Sequence, residues 1–210
     1  MKRLLIFSLL LSVLLACNNA TDKKQPKPTD TVVPKVDSNT VAINTQDSVK
    51  AIGRQVLVLL KEKNYTELVK FFAVDGVLFS PYAHIDTTNA KKLMPEDFLM
   101  AINKKWILTW GSYDGTGEPI KLSIENYLNK FAYNADYLNA EAVGFNEIIK
   151  KGNASSNLQN LYPNTQFIDY HFSGFDQKLN GMDWSSLRLV FEKQNNDYFL
   201  VAIIHDQWTI

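Results

Sequence analysis

The chain has 210 residues, and its hydrophobic (46%) and charged (21%) fractions are ordinary for a globular protein with a sizeable core. Residues 47–210 hold 16 basic and 19 acidic residues, so the clustered positive charge that nucleic-acid binding requires is missing, and we expect no nucleic-acid partner. Cys17 is the only cysteine, which excludes an intrachain disulfide and leaves core burial to stabilise the fold.

Residues 1–16 have the pattern of an export signal. Lys2 and Arg3 form a charged start, and the apolar stretch after them is shorter than the roughly 20 residues that a membrane-spanning helix needs. The stretch Leu14-Leu15-Ala16-Cys17 resembles a bacterial lipobox, which implies cleavage before Cys17 and lipid attachment to its sulfur. A secretory signal with an incidental cysteine is the alternative. The resemblance implies a lipoprotein held to a membrane through Cys17, on the extracytoplasmic side of the cell envelope.

Residues 17–46 are predicted to form a disordered tether. They contain Pro26, Pro28 and Pro34 among many polar residues and few large apolar ones. Such a segment cannot bury enough apolar surface to offset the entropy lost on ordering. We therefore expect a spacer between the anchor and a single folded domain over residues 47–210.

The first half of that domain reads as mainly helical. Asp47 or Ser48 is a suitable N-cap, and apolar residues follow it at helical spacing as far as Leu60. Asn64 is predicted to cap a second short helix. A short strand over residues 77–80 ends before Pro81, and the proline and acids of residues 94–97 start another helix.

The second half reads as mainly strand. Residues 106–110 are predicted to form a strand. A glycine-rich turn, residues 111–119, is predicted to join that strand to a helix capped by Ser123. Residues 166–172 are predicted to form a further strand. At the C-terminus, alternating apolar residues from Leu187 to Phe191 predict a strand, and polar residues 194–197 predict a turn. The almost continuously apolar run 198–204 is typical of a central strand.

The predicted helices come first in the chain and the antiparallel strands come last, which is the order of an α+β fold. We therefore expect the N-terminal helices to pack on one face of a curved, mainly antiparallel sheet. The order of elements is similar to the NTF2-like, cone-shaped fold, in which residues 106–160 would be an elaboration. Several short stretches also resemble a family of uncharacterised exported bacterial lipoproteins: Ser80-Pro81-Tyr82-Ala83, Trp110-Gly111 with Asp114-Gly115, Gly117-Glu118-Pro119-Ile120, Met182-Asp183-Trp184 and the terminal His205-Asp206-Gln207-Trp208-Thr209-Ile210. That resemblance implies a location and no chemistry.

The sequence offers little for a metal or a cofactor. His84, His171 and His205 include no pair at the spacing of a zinc site. The carboxylates of residues 114, 118 and 136 lack the spacing of an EF-hand, and the loop Gly115-Thr116-Gly117 lacks the Lys-Ser/Thr of a P-loop. We predict no metal and no cofactor, and no nucleophile motif is present.

Candidate ligand-binding residues gather at the C-terminal hairpin. Asp206 and Trp208 share one face of the predicted strand with Ile204, whereas His205 lies on the other face and cannot pair with Asp206. In an NTF2-like sheet one face lines a pocket beneath the helices. The candidate set is Asp183, Trp184, His205, Asp206, Trp208 and Tyr82. In the structural alternative, the two aspartates accept N–H bonds and the tryptophans plug the open end of the cone.

Three classes of function remain open from these residues. The preferred one is a lipid-anchored, non-catalytic module that binds a small ligand or an envelope protein. The second is an enzyme that uses Asp206 or His205 as a general base in a cone-shaped pocket. The third is an accessory subunit that docks a partner through exposed aromatic residues.

Overall fold

The computed structural model describes residues 38–209 and the side-chain environments of residues 45–209. The predicted signal peptide, the lipobox with Cys17, most of the predicted tether and Ile210 lie outside the described residues. Between residues 38 and 209, none of the helices has the length and apolar content that a membrane crossing requires.

Helix α1 spans Ser38–Lys61 and begins ahead of the predicted cap at Asp47 or Ser48. It therefore takes in residues 38–46, which we predicted to belong to the tether. Residues 35–52 contain neither proline nor glycine, so no backbone-breaking residue starts the helix later. The predicted second helix is confirmed as α2, Tyr65–Leu68, where the Asn64 side chain accepts a hydrogen bond from the Glu67 backbone N–H at 3.3 Å.

Eight strands, three more α-helices, three 3₁₀ turns and one π-helical turn complete the described chain. The first 3₁₀ turn, Val69–Phe71, extends α2, and the π-helical turn, Leu128–Ala132, directly follows Tyr127. The elements in order are β1 (Val77–Ser80), β2 (Lys91–Leu93), α3 (Pro95–Asn103), β3 (Ile107–Ser112), β4 (Pro119–Ser123), α4 (Ile124–Tyr127), β5 (Ala142–Phe145), α5 (Leu158–Leu161), β6 (Gln166–Phe172), β7 (Ser185–Gln194) and β8 (Asp197–Gln207).

Six strands form the main sheet in the order β2-β1-β8-β7-β6-β5. The β1–β8 pair is parallel and the other neighbours are antiparallel, so the predicted α+β class is confirmed with a mixed sheet. Strand β8 has a neighbour on each side, which confirms it as a central strand. Residues 195 and 196 connect β7 to β8, and Asn195 has the left-handed φ of +58° that a tight hairpin turn requires.

Strands β3 and β4 form a separate two-stranded sheet, which corrects one prediction. We expected the glycine-rich turn to join a strand to a helix, but it joins two strands. The missed signal is the alternation of buried Ile120 with exposed Pro119 and Lys121, which is the two-residue period of a strand. Ser123 then caps α4 as predicted, accepting from the Asn126 backbone N–H at 3.3 Å.

The main sheet separates two apolar cores. On one face, which we call the helix face, residues of α1 to α4 pack against Ile168, Leu187 and Ile203. On the opposite face, Phe167, Val190 and Ile204 pack against other segments, including Leu158 of α5. Buried aromatic rings fill the helix face; for example, Trp110 and Tyr127 stack with centroids 4.0 Å apart. Most helices therefore cover one face, as predicted, and the short α5 covers the other.

Candidate functional site

The alternation along β8 places two predicted site residues on opposite faces of the sheet. His205 pairs across strands with Leu187 and lies on the helix face, where its ring contacts Phe131. Asp206 pairs with Ser186 and lies on the opposite face. The expected pocket beneath the helices therefore does not contain Asp206, because that carboxylate projects from the other side of the sheet.

The imidazole of His205 is fully buried, and both of its ring nitrogens have partners. Nδ1 lies 3.1 Å from the carbonyl oxygen of Pro81, which can only accept, so Nδ1 carries the proton. Nε2 is then an acceptor, 3.1 Å from the hydroxyl of Ser185. Burial lowers the pKa of His205 to about 4, so the ring is neutral at neutral pH.

Side chains from the chain between α4 and β5 complete this network. The Tyr137 hydroxyl donates to the side-chain oxygen of Asn134 at 2.8 Å and lies 2.6 Å from Ser185 Oγ. Every polar group in the cluster thus has a hydrogen-bond partner. Such a satisfied network links the ends of β7 and β8 to the segment between α4 and β5, which is a structural role for His205.

Three charged residues meet on the opposite face, and we call them the Arg188 centre: Asp169, Arg188 and Asp206. Asp169 lies directly across from Arg188 in the β6–β7 register, and Asp206 is diagonal to it on β8. Arg188 Nη2 donates to Asp206 Oδ2 at 2.5 Å, and Arg188 Nε lies 3.4 Å from Asp169 Oδ1. The Arg188 side chain is 0% exposed, so its charge depends on these two carboxylates.

The Arg188 centre is not fully satisfied within the described residues. Arg188 Nε, Arg188 Nη1 and Asp169 Oδ1 are all buried, and none of them has a hydrogen-bond partner among the described residues. Burial raises the pKa of Asp169 and of Asp206, and the Arg188 charge opposes that rise in both. Asp169 is also held by the backbone: its Oδ2 accepts from the Ile149 N–H at 2.9 Å.

His171 and Trp184 lie beside this centre. His171 Nδ1 is 2.8 Å from Ser186 Oγ, and burial lowers the pKa of the imidazole. The ring centroids of Trp184 and His171 are 5.8 Å apart, and Lys150 Nζ lies 5.3 Å from the centroid of the Trp184 ring. Trp184 is therefore a buried packing residue on the border of the centre.

A cavity of about 550 Å³ opens above Asp206. We call it the Asp206 cavity. Its outer wall is the irregular segment that connects β5 to α5, and its inner wall is the sheet. The lining residues are Asn146, Glu147, Ile148, Lys151, Gly152, Asn153, Ala154, Ser155, Ser156, Gln159, Asn160, Phe167 and Asp206.

The remaining predicted site residues lie elsewhere. Asp183 Oδ2 accepts from the backbone N–H groups of Phe175 and Asp176, at 2.9 and 2.7 Å, and so shapes the loop before β7. The Tyr82 hydroxyl accepts from the Asp114 backbone N–H at 3.1 Å and lines a different cavity of about 290 Å³. Trp208 is 42% exposed. Of the predicted set, Asp206 alone lines the Asp206 cavity.

Sequence reasoning did not find Asp169 or Arg188. Their signal was a charge inside an apolar strand, because Arg188 stands between two leucines and Asp169 between Ile168 and Tyr170. Charged residues are rarely fully buried unless they are paired, so both positions indicated a buried ion pair. Within residues 45–209, no cluster of three or more His, Cys, Asp and Glu side chains has the geometry to hold a metal ion.

Comparison with known proteins found two similar solved structures. No family model and no curated protein matches the chain. One solved structure is a DUF4783 family protein from Bacteroides ovatus, with 12% identity and a TM-score of 0.33 over 74% of this chain and 94% of that chain. The other, from Xanthomonas campestris, is named as a putative association domain of calcium/calmodulin-dependent protein kinase II. It has 12% identity and a TM-score of 0.33, over 76% of this chain and 84% of that chain. Similarities at this TM-score support no conclusion about fold or function.

Proposed function

We propose that this protein is a lipid-anchored module of the cell envelope that binds a small polar ligand without transforming it. The observation that carries the proposal is the Asp206 cavity. Its volume of about 550 Å³ lies within the range of roughly 300–1,000 Å³ that is typical of small-molecule sites. Its inner wall includes the Asp206 carboxylate, which is paired with the buried Arg188 guanidinium.

The arrangement favours binding over catalysis. His205 is unsuited to act as a general base, because both of its ring nitrogens are hydrogen-bonded and the ring is 0% exposed. Asp206 Oδ2 already accepts from Arg188 Nη2, so this oxygen is not a free base, although burial raises the pKa of the carboxyl. In the cavity wall, Ser156 Oγ accepts from the Leu158 backbone N–H at 3.3 Å, a local turn contact just before α5.

The proposed fold type is NTF2-like. Its support is that α1 to α4 pack on one face of a sheet whose centre is the terminal β7–β8 hairpin. The proposal differs from the cone-pocket expectation in one respect: the ligand lies on the face that these helices do not cover.

The proposed anchor is Cys17. Its support is the resemblance of residues 14–17 to a lipobox after a short apolar stretch. We expect Cys17→Ser to remain unacylated and to leave the membrane fraction, as measured by lipid labelling and cell fractionation. Retention of the unlabelled variant in the membrane would contradict the anchor.

Ligand binding is tested by nuclear magnetic resonance with a library of small polar compounds. We expect hits to shift the amide signals of residues 146–160 and of Asp206. Asn160→Trp should fill the cavity and abolish these shifts, whereas Asn129→Trp, at an exposed position outside the cavity, should leave them unchanged. Hits that map instead to Tyr82 and Lys130, or an unaffected Asn160→Trp variant, would refute this site.

A further inference from the structure

The C-terminal end of α3 and the start of β3 present three large apolar side chains to solvent. Met100, Trp106 and Ile107 are 40%, 42% and 63% exposed. The Trp106 backbone N–H donates to the carbonyl of Ala101 at 3.0 Å, which keeps Trp106 beside the last turn of α3, where Met100 lies. Single exposed apolar residues are ordinary, but several together mark an interaction surface.

Three exposed lysines border these apolar side chains. Lys104 follows Met100 by one helical turn, and its Nζ lies 5.4 Å from the centroid of the Trp106 ring. Lys105 stands between Lys104 and Trp106 in the chain and is also exposed. The third lysine, Lys121, comes from β4.

Lys121 lies on the solvent face of the β3–β4 hairpin. It pairs with Thr109, and Ile107 is two residues before Thr109, so Ile107 and Lys121 are diagonal neighbours on one face. That face is exposed, whereas Trp110 and Ile120 at alternate positions are buried in the core of the helix face. We call the six residues together the Trp106 corner: Met100, Lys104, Lys105, Trp106, Ile107 and Lys121.

The lysines of the Trp106 corner carry uncompensated positive charge. None of the ion pairs within the described residues includes one of them. Residues 98–113 contain no acidic residue, and the acids of α3 lie in its first turn. Glu118 and Glu125 lie beyond the two ends of β4, whereas Lys121 is at its centre. The corner therefore attracts an anionic partner.

This combination of side chains fits a lipid surface better than a protein partner. Tryptophan is enriched where a membrane meets water, and lysines near that boundary are attracted to anionic headgroups. Protein–protein interfaces are also enriched in tryptophan and methionine, but they are depleted in lysine. The three lysines therefore favour an anionic bilayer as the partner.

The connection to Cys17 is long enough for such a contact. Residues 18–37, which number 20, separate Cys17 from the start of α1. A chain of that length spans at most about 70 Å, whereas a folded domain of this size is roughly 40 Å across. With Cys17 acylated, every part of the domain surface is within reach of the bilayer, so the domain's own side chains decide which part meets it.

We infer that the Trp106 corner docks the domain onto an anionic lipid bilayer. Trp106 and Ile107 enter the headgroup region, and the lysines of the corner contact the anionic headgroups. The inference rests on the proposed function in one respect, since the acylated Cys17 would bring the bilayer within reach. It gives the anchored domain a fixed orientation on the membrane.

The test is the tryptophan fluorescence of the full-length protein, reconstituted into vesicles of phosphatidylcholine with phosphatidylglycerol as the anionic lipid. Bromine on the acyl chains quenches tryptophan only at short range, so the emission reports contact with lipid. We expect lower emission in brominated than in unbrominated vesicles. The difference should be smaller in phosphatidylcholine alone and at high salt, which screens the lysines. Trp106→Phe should abolish most of the quenching, which distinguishes Trp106 from the exposed Trp208.

Variants that retain Trp106 test the rest of the corner. Replacement of Lys104 and Lys105 by alanine should lower the ratio of docked to undocked protein about fivefold for each lysine. Ile107→Ser removes apolar contact with the lipid and should also reduce the quenching.

Matched controls alter exposed residues outside the corner. They are the double variant Lys178→Ala with Lys193→Ala, and Phe175→Ser, whose parent side chain is 57% exposed on the loop between β6 and β7. Both should leave the quenching unchanged.

The outcomes separate the docking from the anchor. Vesicle flotation and lipid labelling of Cys17 report the anchor, whereas quenching reports the corner. Vesicle-bound protein in which Trp106 is not quenched, or is quenched equally in every variant, overturns the docking and leaves the anchor standing. Quenching without acylation of Cys17 supports the docking and overturns the anchor, and protein that does not float overturns both. A dimer that Ile107→Ser dissociates in sedimentation, without quenching in the parent, would overturn the docking and assign the corner to a second copy of the chain.

Discussion

Replacement of Arg188 by methionine should destabilise the fold strongly at neutral pH. The guanidinium is 0% exposed and lies between the carboxylates of Asp169 and Asp206, at 3.4 and 2.5 Å. Methionine keeps much of the unbranched stem but leaves two buried acids without a counter-charge. Removal of one partner of a buried ion pair typically costs about 3–5 kcal/mol, which is a large part of the roughly 5–15 kcal/mol that stabilises a typical domain.

The same variant should recover stability when the pH is lowered. Burial already raises the pKa of Asp169 and of Asp206 in the parent, and loss of the Arg188 charge raises both further. An unfolded aspartate titrates near pH 3.9, so between that pH and the raised folded pKa the native state binds more protons than the unfolded state. The free energy of unfolding then falls as pH rises through this window, and the deficit against the parent is smaller at pH 5 than at pH 7.

Urea denaturation followed by circular dichroism at the two pH values measures this deficit. Arg54→Met, on the exposed side of α1, is the matched control and should stay within about 0.5 kcal/mol of the parent. Adding Asp169→Asn and Asp206→Asn to Arg188→Met should restore part of the stability, since no charge then remains buried. A deficit below about 1 kcal/mol at pH 7, or one that does not change with pH, would refute the assignment of Arg188 as the counter-charge of the two aspartates.

Three further predictions concern the two cores. The pKa of His205 is about 4 in the folded protein and about 6.5 in the unfolded chain, so the free energy of unfolding should fall as the pH drops from 6.5 to 4. His205→Gln should remove up to about 3 kcal/mol of this pH dependence, as measured by urea denaturation at a series of pH values. In Gly53→Ala the new Cβ would lie 2.5 Å from Ile168 Cδ1 and 2.6 Å from the Tyr170 hydroxyl, so we expect a lower melting temperature despite a gain of up to about 1 kcal/mol in helix propensity. Deletion of residues 204–210 should abolish cooperative unfolding, because it removes buried Ile204 and one partner of the Arg188 centre from the central strand; a soluble product with a sharp transition would contradict this.

The elements that the sequence predicted well carry their own signal. Strands β6, β7 and β8 have long apolar or alternating runs, and α2 and α4 have capping residues at their starts. The missed strands β2 and β5 are different. They are three and four residues long at the two edges of the sheet, and their conformation depends on pairing with β1 and β6 rather than on their own residues.

The site was predictable only in part for a related reason. The sequence singled out Asp206 by its place in an apolar strand, but its partners come from two other strands. Which residue faces Arg188 depends on the β6–β7 register and on the irregularity between Val190 and Phe191 in the β7–β8 pair. A shift of one residue would turn Arg188 to the helix face, so the local pattern could indicate a buried ion pair but could not identify its partners.

The two faces of β8 also explain why a ligand site would lie away from most helices. The helix face is packed with large rings, and the polar cluster around His205 satisfies its own hydrogen bonds. The opposite face is covered by an irregular segment with many polar side chains and one short helix, α5. Buried charges next to such a cover can reach a polar cavity, whereas charges beneath close-packed aromatic rings cannot. Successive residues of one strand thus have different roles: Asp206 belongs to the ion pair on the cavity side, whereas His205 and Ile203 hold the core on the helix face.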